Sequence, residues 1–273
     1  MGGEVSIERD GKLATVVFRR PERLNACNQN MFEQMEAAAR ELTEPPLPRA
    51  VIVTGDGPDA FSAGFDVNPD NPMVAKMAQA LEKRDRRPIE AAIADIRRAV
   101  DRLVALPVPI IAAVNGKAYG GGAELAVRCD LRVMDPAAEI CFSEVRLGLM
   151  PDWGGGATLT HLIGSAAAAD LVLTGRRVGA REALRLGLVN RVSAPGKTLA
   201  EAVEMAEAIM GNGPQAVQSA LKVIRAGRNL SLEAALDLEQ RTAVDLIASG
   251  ECLYGIGAFL NGHPPVFPDP PVK

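Results

Sequence analysis

The sequence predicts an α/β fold, and three observations support that prediction. Short apolar runs with the composition of buried strands alternate with helical stretches over about two thirds of the chain. Glycine-rich turns follow several of these runs, which is typical where a strand passes into a helix. From Thr198 onward the pattern is helical only. We therefore expect a catalytic core of strands and helices over residues 1–195 and a helical oligomerisation region over residues 196–273.

The N-terminal part of the chain predicts a hairpin, a helix and a buried strand. Residues 5–19 divide into two strands around an Asp10-Gly11 turn. Asn28 is a suitable N-cap for a helix that continues to about Leu42. Residues 50–54, Ala-Val-Ile-Val-Thr, have the length and composition of a buried strand.

Further elements follow from the same patterns. Apolar residues at helical spacing, including Ile93 and Ile96, predict a helix over residues 89–106. Strands are predicted at residues 110–114, 131–134, 140–142 and 188–192, and helices at residues 122–128, 166–174 and 180–186. Four helices complete the chain, at residues 199–210, 214–226, 232–247 and 251–260.

Composition excludes several classes of function. The chain has 273 residues, a net charge of −4 and scattered lysines and arginines, which argues against nucleic-acid binding. The N-terminus lacks the basic and apolar regions of a signal peptide, and no apolar run is long enough to span a membrane. The sequence thus favours a cytoplasmic protein with no nucleic-acid or membrane partner.

The cysteines and histidines are too dispersed to suggest a metal site or a disulfide framework. No C-x-x-C pair is present, and reduced structural thiols are the favoured interpretation. The residues concerned are Cys27, Cys129, Cys141, Cys252, His161 and His263. We expect no metal.

Two nucleotide-like motifs are weak. Residues 55–60 match G-x-G-x-x-A after a predicted strand, but Pro58 and Asp59 favour a loop where a dinucleotide fold requires a helix. Gly196-Lys197-Thr198 imitates the end of a phosphate-binding loop without its first glycine.

A run of three glycines, Gly120 to Gly122, separates a predicted strand from a predicted helix. Backbone N–H groups at a helix start lack intrahelical partners and can bind an anion or a developing oxyanion. Glycine also lets a substrate approach the main chain closely. Glu124 lies three residues after Gly121, on the same side of the first helical turn. This combination suits proton transfer beside a carbonyl group.

Two more glycine-containing turns follow predicted strands. One covers residues 60–66, and the other covers residues 142–156 and carries Glu144 and Asp152. Each acid alone is more often a solvated residue or a helix cap. The occurrence of three glycine-rich turns at strand ends of one α/β region favours a common site.

These segments together resemble the enoyl-CoA hydratase/isomerase, or crotonase, superfamily over about residues 5–267. The resemblance implies a crotonase-like spiral of ββα repeats with a C-terminal helical trimerisation region, assembled as trimers or as dimers of trimers. It also implies an acyl-CoA thioester substrate, with no cofactor beyond the coenzyme A of the substrate. The matching segments are residues 20–26, 60–67, 109–116, 120–126, 129–132, 148–151, 174–176, 183–189 and 257–260.

By position, the resemblance assigns the oxyanion hole to the N–H groups of Phe65 and Gly121. Glu124 and Glu144 match the two glutamates that hold the water added by hydratases, one as base and one as donor of the α proton. The implied reaction is reversible hydration of a trans-2-enoyl-CoA. Substrate and coenzyme A contacts are expected at Arg23, Ala26, Ala63, Gly64, Asp66 and Gly120.

The chain departs from the hydratase pattern at Asp152, where mitochondrial-type hydratases carry glycine. An aspartate here is similar to the dienoyl-CoA isomerases, so double-bond isomerisation is the main alternative. Asp152 could equally cap a helix that opens near Trp153. A non-catalytic trimeric binding protein is a third hypothesis, and the retention of both glutamates argues against it.

Two other regions bear on how the chain would bind the coenzyme A phosphate and the acyl chain. Asn261-Gly262-His263 stands where the family usually carries a basic pair that contacts the coenzyme A phosphate, although Arg23 matches another such contact. Met73, Met77 and Leu81 could line an apolar tunnel for the acyl chain or could be ordinary helix core.

Overall fold

Ten strands and eleven α-helices form the part of the chain that the computed structural model describes, residues 2–269. The strands are β1 (Glu4–Asp10), β2 (Leu13–Arg19), β3 (Ala50–Gly55), β4 (Ala60–Ser62), β5 (Ile110–Val114), β6 (Lys117–Tyr119), β7 (Leu131–Met134), β8 (Glu139–Cys141), β9 (Val178–Gly179) and β10 (Arg191–Val192). The helices are α1 (Gln29–Glu41), α2 (Pro72–Glu82), α3 (Arg87–Val104), α4 (Gly121–Arg128), α5 (Gly155–Ile163), α6 (Ser165–Thr174), α7 (Ala180–Arg185), α8 (Thr198–Met210), α9 (Pro214–Gly227), α10 (Leu232–Ala248) and α11 (Cys252–Leu260).

The strands form two sheets that are wound together. The main sheet has the order β1-β2-β3-β5-β7-β10, and all its pairs are parallel except the β1–β2 hairpin. The second sheet has the order β4-β6-β8-β9 and is parallel except at β8–β9. In β3–β4, β5–β6 and β7–β8, the first strand joins the main sheet and the second joins the smaller one before a helical segment. This arrangement is the predicted α/β spiral of ββα repeats.

The central strands β3 and β5 of the main sheet are buried on both faces, which explains their unbroken apolar runs. One face contributes to the large core that includes α1 and α3. On the other face, Ile52, Ile111 and Val133 pack against Ala202 and Met205 of α8. Helix α8 therefore packs directly on the sheet, while α9, α10 and α11 follow it.

Most predicted elements are present, with shifted ends. Asn28 caps α1 by accepting a hydrogen bond from the Met31 N–H, and α4 begins one residue earlier than predicted. The pattern missed the two- and three-residue strands β4, β6 and β9, and the predicted strand at 188–192 is only β10. Ile93 is 38% exposed, although its spacing placed it on the buried face of α3.

The G-x-G-x-x-A motif lacks the helix that a dinucleotide site needs. Strand β3 ends at Gly55 and the chain turns, with Gly57 at a φ of 75°, into strand β4.

Across residues 2–269, no single helix combines the length and apolar character needed to cross a membrane; α10 and α11 reach that threshold only as a pair bent by 69°.

Candidate active site

Two chain segments meet through their main chains at the start of α4. Gly64 has a φ of 83°, and a Cβ at this position would lie 2.6 Å from the Gly121 nitrogen. A Cβ at Gly122 would lie 2.7 Å from the Ser62 carbonyl carbon. Both distances are shorter than van der Waals contact, so only glycine permits this approach. The close packing places the segment after β4 against the N-terminus of α4.

Two backbone donors are left free at this junction. Cys27 donates to the Gly64 carbonyl and Asp66 donates to the Cys27 carbonyl, at 2.7 and 2.9 Å. Within residues 2–269 the intervening Phe65 N–H has no acceptor, and neither has the N–H of Gly121 at the start of α4. Two N–H groups held side by side, one of them at a helix N-terminus, are suited to an oxyanion.

Glu124 lies on α4 and is completely buried. Its Oε1 accepts a hydrogen bond from the Asp152 N–H at 3.0 Å, and its Oε2 accepts one from the Gly155 N–H at 2.7 Å. Burial, together with the nearby Glu144 carboxyl, raises the pKa of Glu124 to about 8 despite these donors. The side chain is therefore fixed in place and able to hold a proton at neutral pH.

Glu144 begins the 3-10 turn Glu144–Leu147, shortly after β8. The Gly120 N–H donates to the Cys141 carbonyl at 2.9 Å, and a Cβ on Gly120 would lie 3.7 Å from Glu144 Oε1. Both carboxyl oxygens of Glu144 are buried with no hydrogen-bonding partner among the described residues. Burial raises the pKa of this carboxyl above its usual range.

The two glutamate carboxyls influence each other's ionisation, because the Glu144 carboxyl adds to the rise in the pKa of Glu124. Two interacting buried carboxyl groups resist ionising together, so the pair tends to keep one proton at neutral pH.

The helix-cap interpretation of Asp152 is wrong. Helix α5 begins at Gly155, its N-cap is Gly154, and no side chain caps it in the manner expected for Asp152. The Glu124 carboxylate accepts from the first N–H of α5 instead. The Asp152 residue is exposed, but its carboxyl lies near enough to raise the pKa of Glu144, and burial of that carboxyl raises its own pKa. Three acids therefore converge here.

The predicted coenzyme A contacts lie around the same junction, and the side chain of one of them, Asp66, is already engaged within the protein. The carboxylate of Asp66 is buried and pairs with Arg20 at 2.6 Å, and Asn68 also donates to it. Hydrogen bonds from Asn68 and Arg20 outweigh the effect of burial and keep the pKa of Asp66 low. This carboxylate stabilises the loop. The backbone of Asp66 is also engaged, because its N–H donates to the Cys27 carbonyl and its carbonyl accepts from the Asn71 side chain at 2.7 Å.

The remaining predicted contacts differ in exposure. Arg23 is exposed and forms an ion pair with Asp70 at 3.5 Å, so its guanidinium is at the surface. Ala26, Gly64 and Gly120 are buried and Ala63 is half-buried.

The proposed acyl tunnel residues do not act together. Met73 is buried in the main core, whereas Leu81 is 67% exposed. Helix α2 therefore contributes an ordinary amphipathic face.

Trp153 is a feature of the site that the sequence patterns missed. Its indole lies against Gly121, where a Cβ would be 2.5 Å from Cζ2. The only signal was the presence of the chain's single tryptophan within a glycine-rich turn next to two acids.

A ββα spiral that presents two free amides beside a pair of buried carboxyls defines a class of protein that stabilises an enolate derived from a carbonyl compound. The chain belongs to the enoyl-CoA hydratase/isomerase family, whose sequence model matches residues 8–270.

Relatives of known name cover nearly the whole chain. A short-chain-enoyl-CoA hydratase of Clostridium acetobutylicum is 36% identical over 91% of this chain and 88% of its own length. An enoyl-CoA isomerase/hydratase of Mycosarcoma maydis is 33% identical over 92% of this chain and 91% of its own. The crystal structure of an enoyl-CoA hydratase from Bacillus anthracis superimposes with a TM-score of 0.87 at 31% identity, covering 96% of this chain and 98% of that one.

Proposed function

We propose that the protein is an enoyl-CoA hydratase, which adds water reversibly to the 2,3 double bond of a trans-2-enoyl-CoA. The observation that carries this proposal is the position of two partnerless N–H groups, on Phe65 and Gly121, beside the Glu124–Glu144 carboxyl pair. The hydratase names of several relatives support the same reaction.

The two amides bind the thioester oxygen of the substrate. As water adds to C3, negative charge moves to this oxygen and both N–H bonds strengthen. A preorganised donor of this type typically contributes about 3 kcal/mol to transition-state stabilisation. Because Gly121 begins α4, the helix dipole favours the same charge.

The carboxyl pair supplies the proton transfers. The ionised member removes a proton from the bound water as its oxygen attacks C3, and the protonated member delivers a proton to C2. One H and one OH are thereby added across the double bond, and the pair keeps a single proton overall. No further cofactor is required, since coenzyme A arrives with the substrate.

Crotonyl-CoA tests this proposal directly. We expect loss of the ultraviolet absorbance of the enoyl thioester on addition of the protein, with 3-hydroxybutyryl-CoA as product. Unchanged absorbance, in a protein that binds butyryl-CoA, would exclude hydration.

Asp152 supports a second candidate, double-bond isomerisation of an enoyl-CoA or dienoyl-CoA. Its carboxyl influences Glu144, so a third acid is available to move a proton along the acyl chain. The Asp152→Asn variant separates the two reactions. A hydratase keeps most of its rate with crotonyl-CoA, whereas an isomerase loses its rate with a dienoyl-CoA.

We also infer that the helical region at residues 196–273 joins copies of the chain into trimers or dimers of trimers. Large apolar side chains are exposed along α10 and α11, which is unusual for a surface that stays in water. They are Leu232, Leu236, Val244, Ile247, Leu253, Ile256, Phe259 and Leu260.

Sedimentation tests the assembly. Phe259 is 83% exposed, so Phe259→Glu places a charge on the interface without disturbing the core, and it should shift the protein toward smaller species. Leu47→Glu, outside the helical region, is the matched control. If the native protein itself sediments as a monomer, the helical region does not join copies of the chain.

The described cysteines are all free, which fits the reducing cytoplasm that we infer for this protein.

A further inference from the structure

The indole of Trp153 packs against Gly121, whose N–H is one of the two proposed oxyanion donors. Its Cζ2 and Cδ2 atoms would be 2.5 and 2.6 Å from a Cβ at Gly121, so the ring fills the space beside this glycine. Only 2% of the residue is exposed. No other tryptophan occurs in the chain.

The indole continues into a series of aromatic rings that reaches the second donor. The Phe32 ring meets Trp153 edge to face, with centroids 5.2 Å apart and planes at 76°. The Phe32 ring also stacks on the Phe65 ring at 6.4 Å. Such pairs add stability beyond the burial of their area. Three rings therefore connect Gly121 with Phe65.

The backbone around Trp153 is fixed at several points. Its carbonyl accepts a hydrogen bond from Arg128 Nη1 at 2.7 Å, and Arg128 is held by Asp101 at 2.5 Å. The flanking N–H groups of Asp152 and Gly155 donate to Glu124. Because the main chain is held on both sides of the residue, movement of the indole away from Gly121 is costly.

We propose that Trp153 closes the inner end of the acyl site and restricts the protein to short acyl chains. The inference rests on the proposed function, because it requires the thioester oxygen at Phe65 and Gly121 and C2 and C3 at the carboxyl pair. The proposal places the carbons beyond C3 against the aromatic cluster formed by Trp153, Phe32 and Phe65. An indole cannot be displaced without losing its close packing.

The first experiment compares kcat/KM for trans-2-enoyl-CoA esters of four, six, eight and ten carbons. We expect the native rate constant to fall at least tenfold between the four- and eight-carbon substrates. Each methylene that gains a buried site is worth roughly a factor of four. Trp153→Ala should therefore raise the ratio of eight- to four-carbon rates by at least tenfold, and Trp153→Phe should give an intermediate ratio.

Leu81→Ala is the matched control, because it truncates an exposed apolar side chain of α2 and should leave the chain-length profile unchanged. A native protein that hydrates eight-carbon substrates as fast as four-carbon ones would overturn the proposal. The same holds if folded Trp153→Phe and native protein have identical profiles.

The second experiment uses the fluorescence of the single tryptophan and needs no turnover. Butyryl-CoA, which has no double bond to hydrate, should change the Trp153 emission saturably, while coenzyme A alone should change it much less. Calorimetric binding of butyryl-CoA without an emission change beyond that of coenzyme A would overturn the assignment. Failure of the native protein to hydrate crotonyl-CoA would overturn the proposed function instead, so the two failures are distinct.

Discussion

Glu124 and Glu144 come from two regions that hold a carboxyl group in opposite ways. Glu124 on helix α4 is completely buried but accepts hydrogen bonds from two backbone N–H groups, those of Asp152 and of Gly155 at the start of α5. The 3-10 turn after β8 buries both oxygens of Glu144 and provides no partner among the described residues. Glu124 thus gains hydrogen bonds in the folded state, whereas Glu144 is buried without them, which lowers the stability of the fold.

The difference suggests separate contributions to stability and activity. A buried carboxyl with donors stabilises the segments that it joins, whereas one without donors destabilises the folded state. Unpaired buried polar groups are retained mainly where chemistry requires them. On this basis the two glutamates should respond alike in activity and oppositely in stability when each is changed to glutamine.

Glu124→Gln should have the largest effect. The amide cannot act as acid or base, and its NH2 group would face a backbone N–H, leaving one donor unsatisfied. We expect crotonyl-CoA hydration to fall by at least about 10³-fold and the free energy of unfolding to fall by about 1–3 kcal/mol. Steady-state kinetics and urea unfolding measure both effects. A Glu124→Gln protein as stable as the native one would show that Glu124 and Glu144 do not differ in their contribution to stability.

Glu144→Gln should lower hydration by about 10²–10³-fold but raise stability at alkaline pH. The substitution removes a buried carboxyl without breaking a hydrogen bond within residues 2–269. Thermal unfolding at pH 8.5 should therefore occur at a higher temperature than in the native protein. A lower unfolding temperature would mean that Glu144 stabilises the fold, and unchanged hydration would exclude its role in the reaction.

Gly121→Ala tests the donor side of the site. The new Cβ meets the Trp153 indole, so either the ring or the Gly121 N–H must move. We expect a loss of about 10²-fold in kcat/KM and of about 1–3 kcal/mol in stability. The double variant with Trp153→Ala should recover part of both losses. Strictly additive effects would show that the indole and the donor are not coupled.

The pH dependence should be the mildest effect. The raised pKa of the pair, about 8 at Glu124, means that kcat/KM falls as pH rises above this value and the shared proton is lost. A carboxyl with a raised pKa in the folded state gives stability that is fully present below its unfolded pKa of about 4.3. That stability is lost as pH rises toward about 8, where Glu124 titrates in the folded protein. Glu144→Gln should reduce this loss of stability with rising pH. Identical pH profiles of unfolding in the native and Glu144→Gln proteins would show that the two glutamates do not titrate together.

Local signals in the sequence predicted much of this arrangement. Strand β5 and the cap at Asn28 were located because an apolar run between prolines and a polar residue before a helical stripe are short-range features. The start of α4 was one residue off, since glycine does not mark where a helix begins. The glycine-rich turns at strand ends drew attention to the three acids, and the family resemblance gave Glu124, Glu144 and Asp152 their expected roles.

Contacts between residues distant in the sequence determine the features that local patterns did not predict. Asp152 was given a capping alternative because it precedes α5, but Glu124, distant in sequence, accepts from the first N–H of that helix. The Asp66 carboxylate is used by Arg20, 46 residues away. Neither pairing has a signature in local spacing. The contact of Trp153 with Gly121 is invisible for the same reason.

The approach of Gly122 to the Ser62 carbonyl bears on how such a protein can change over time. The main-chain contact between the segment after β4 and α4 positions the N–H groups of Phe65 and Gly121 without contact to Glu144 or Asp152. Glu144 and Asp152 are attached to other segments. Substitutions at these two positions can therefore alter the acid groups of the site without disturbing the main-chain contact that positions the two N–H groups.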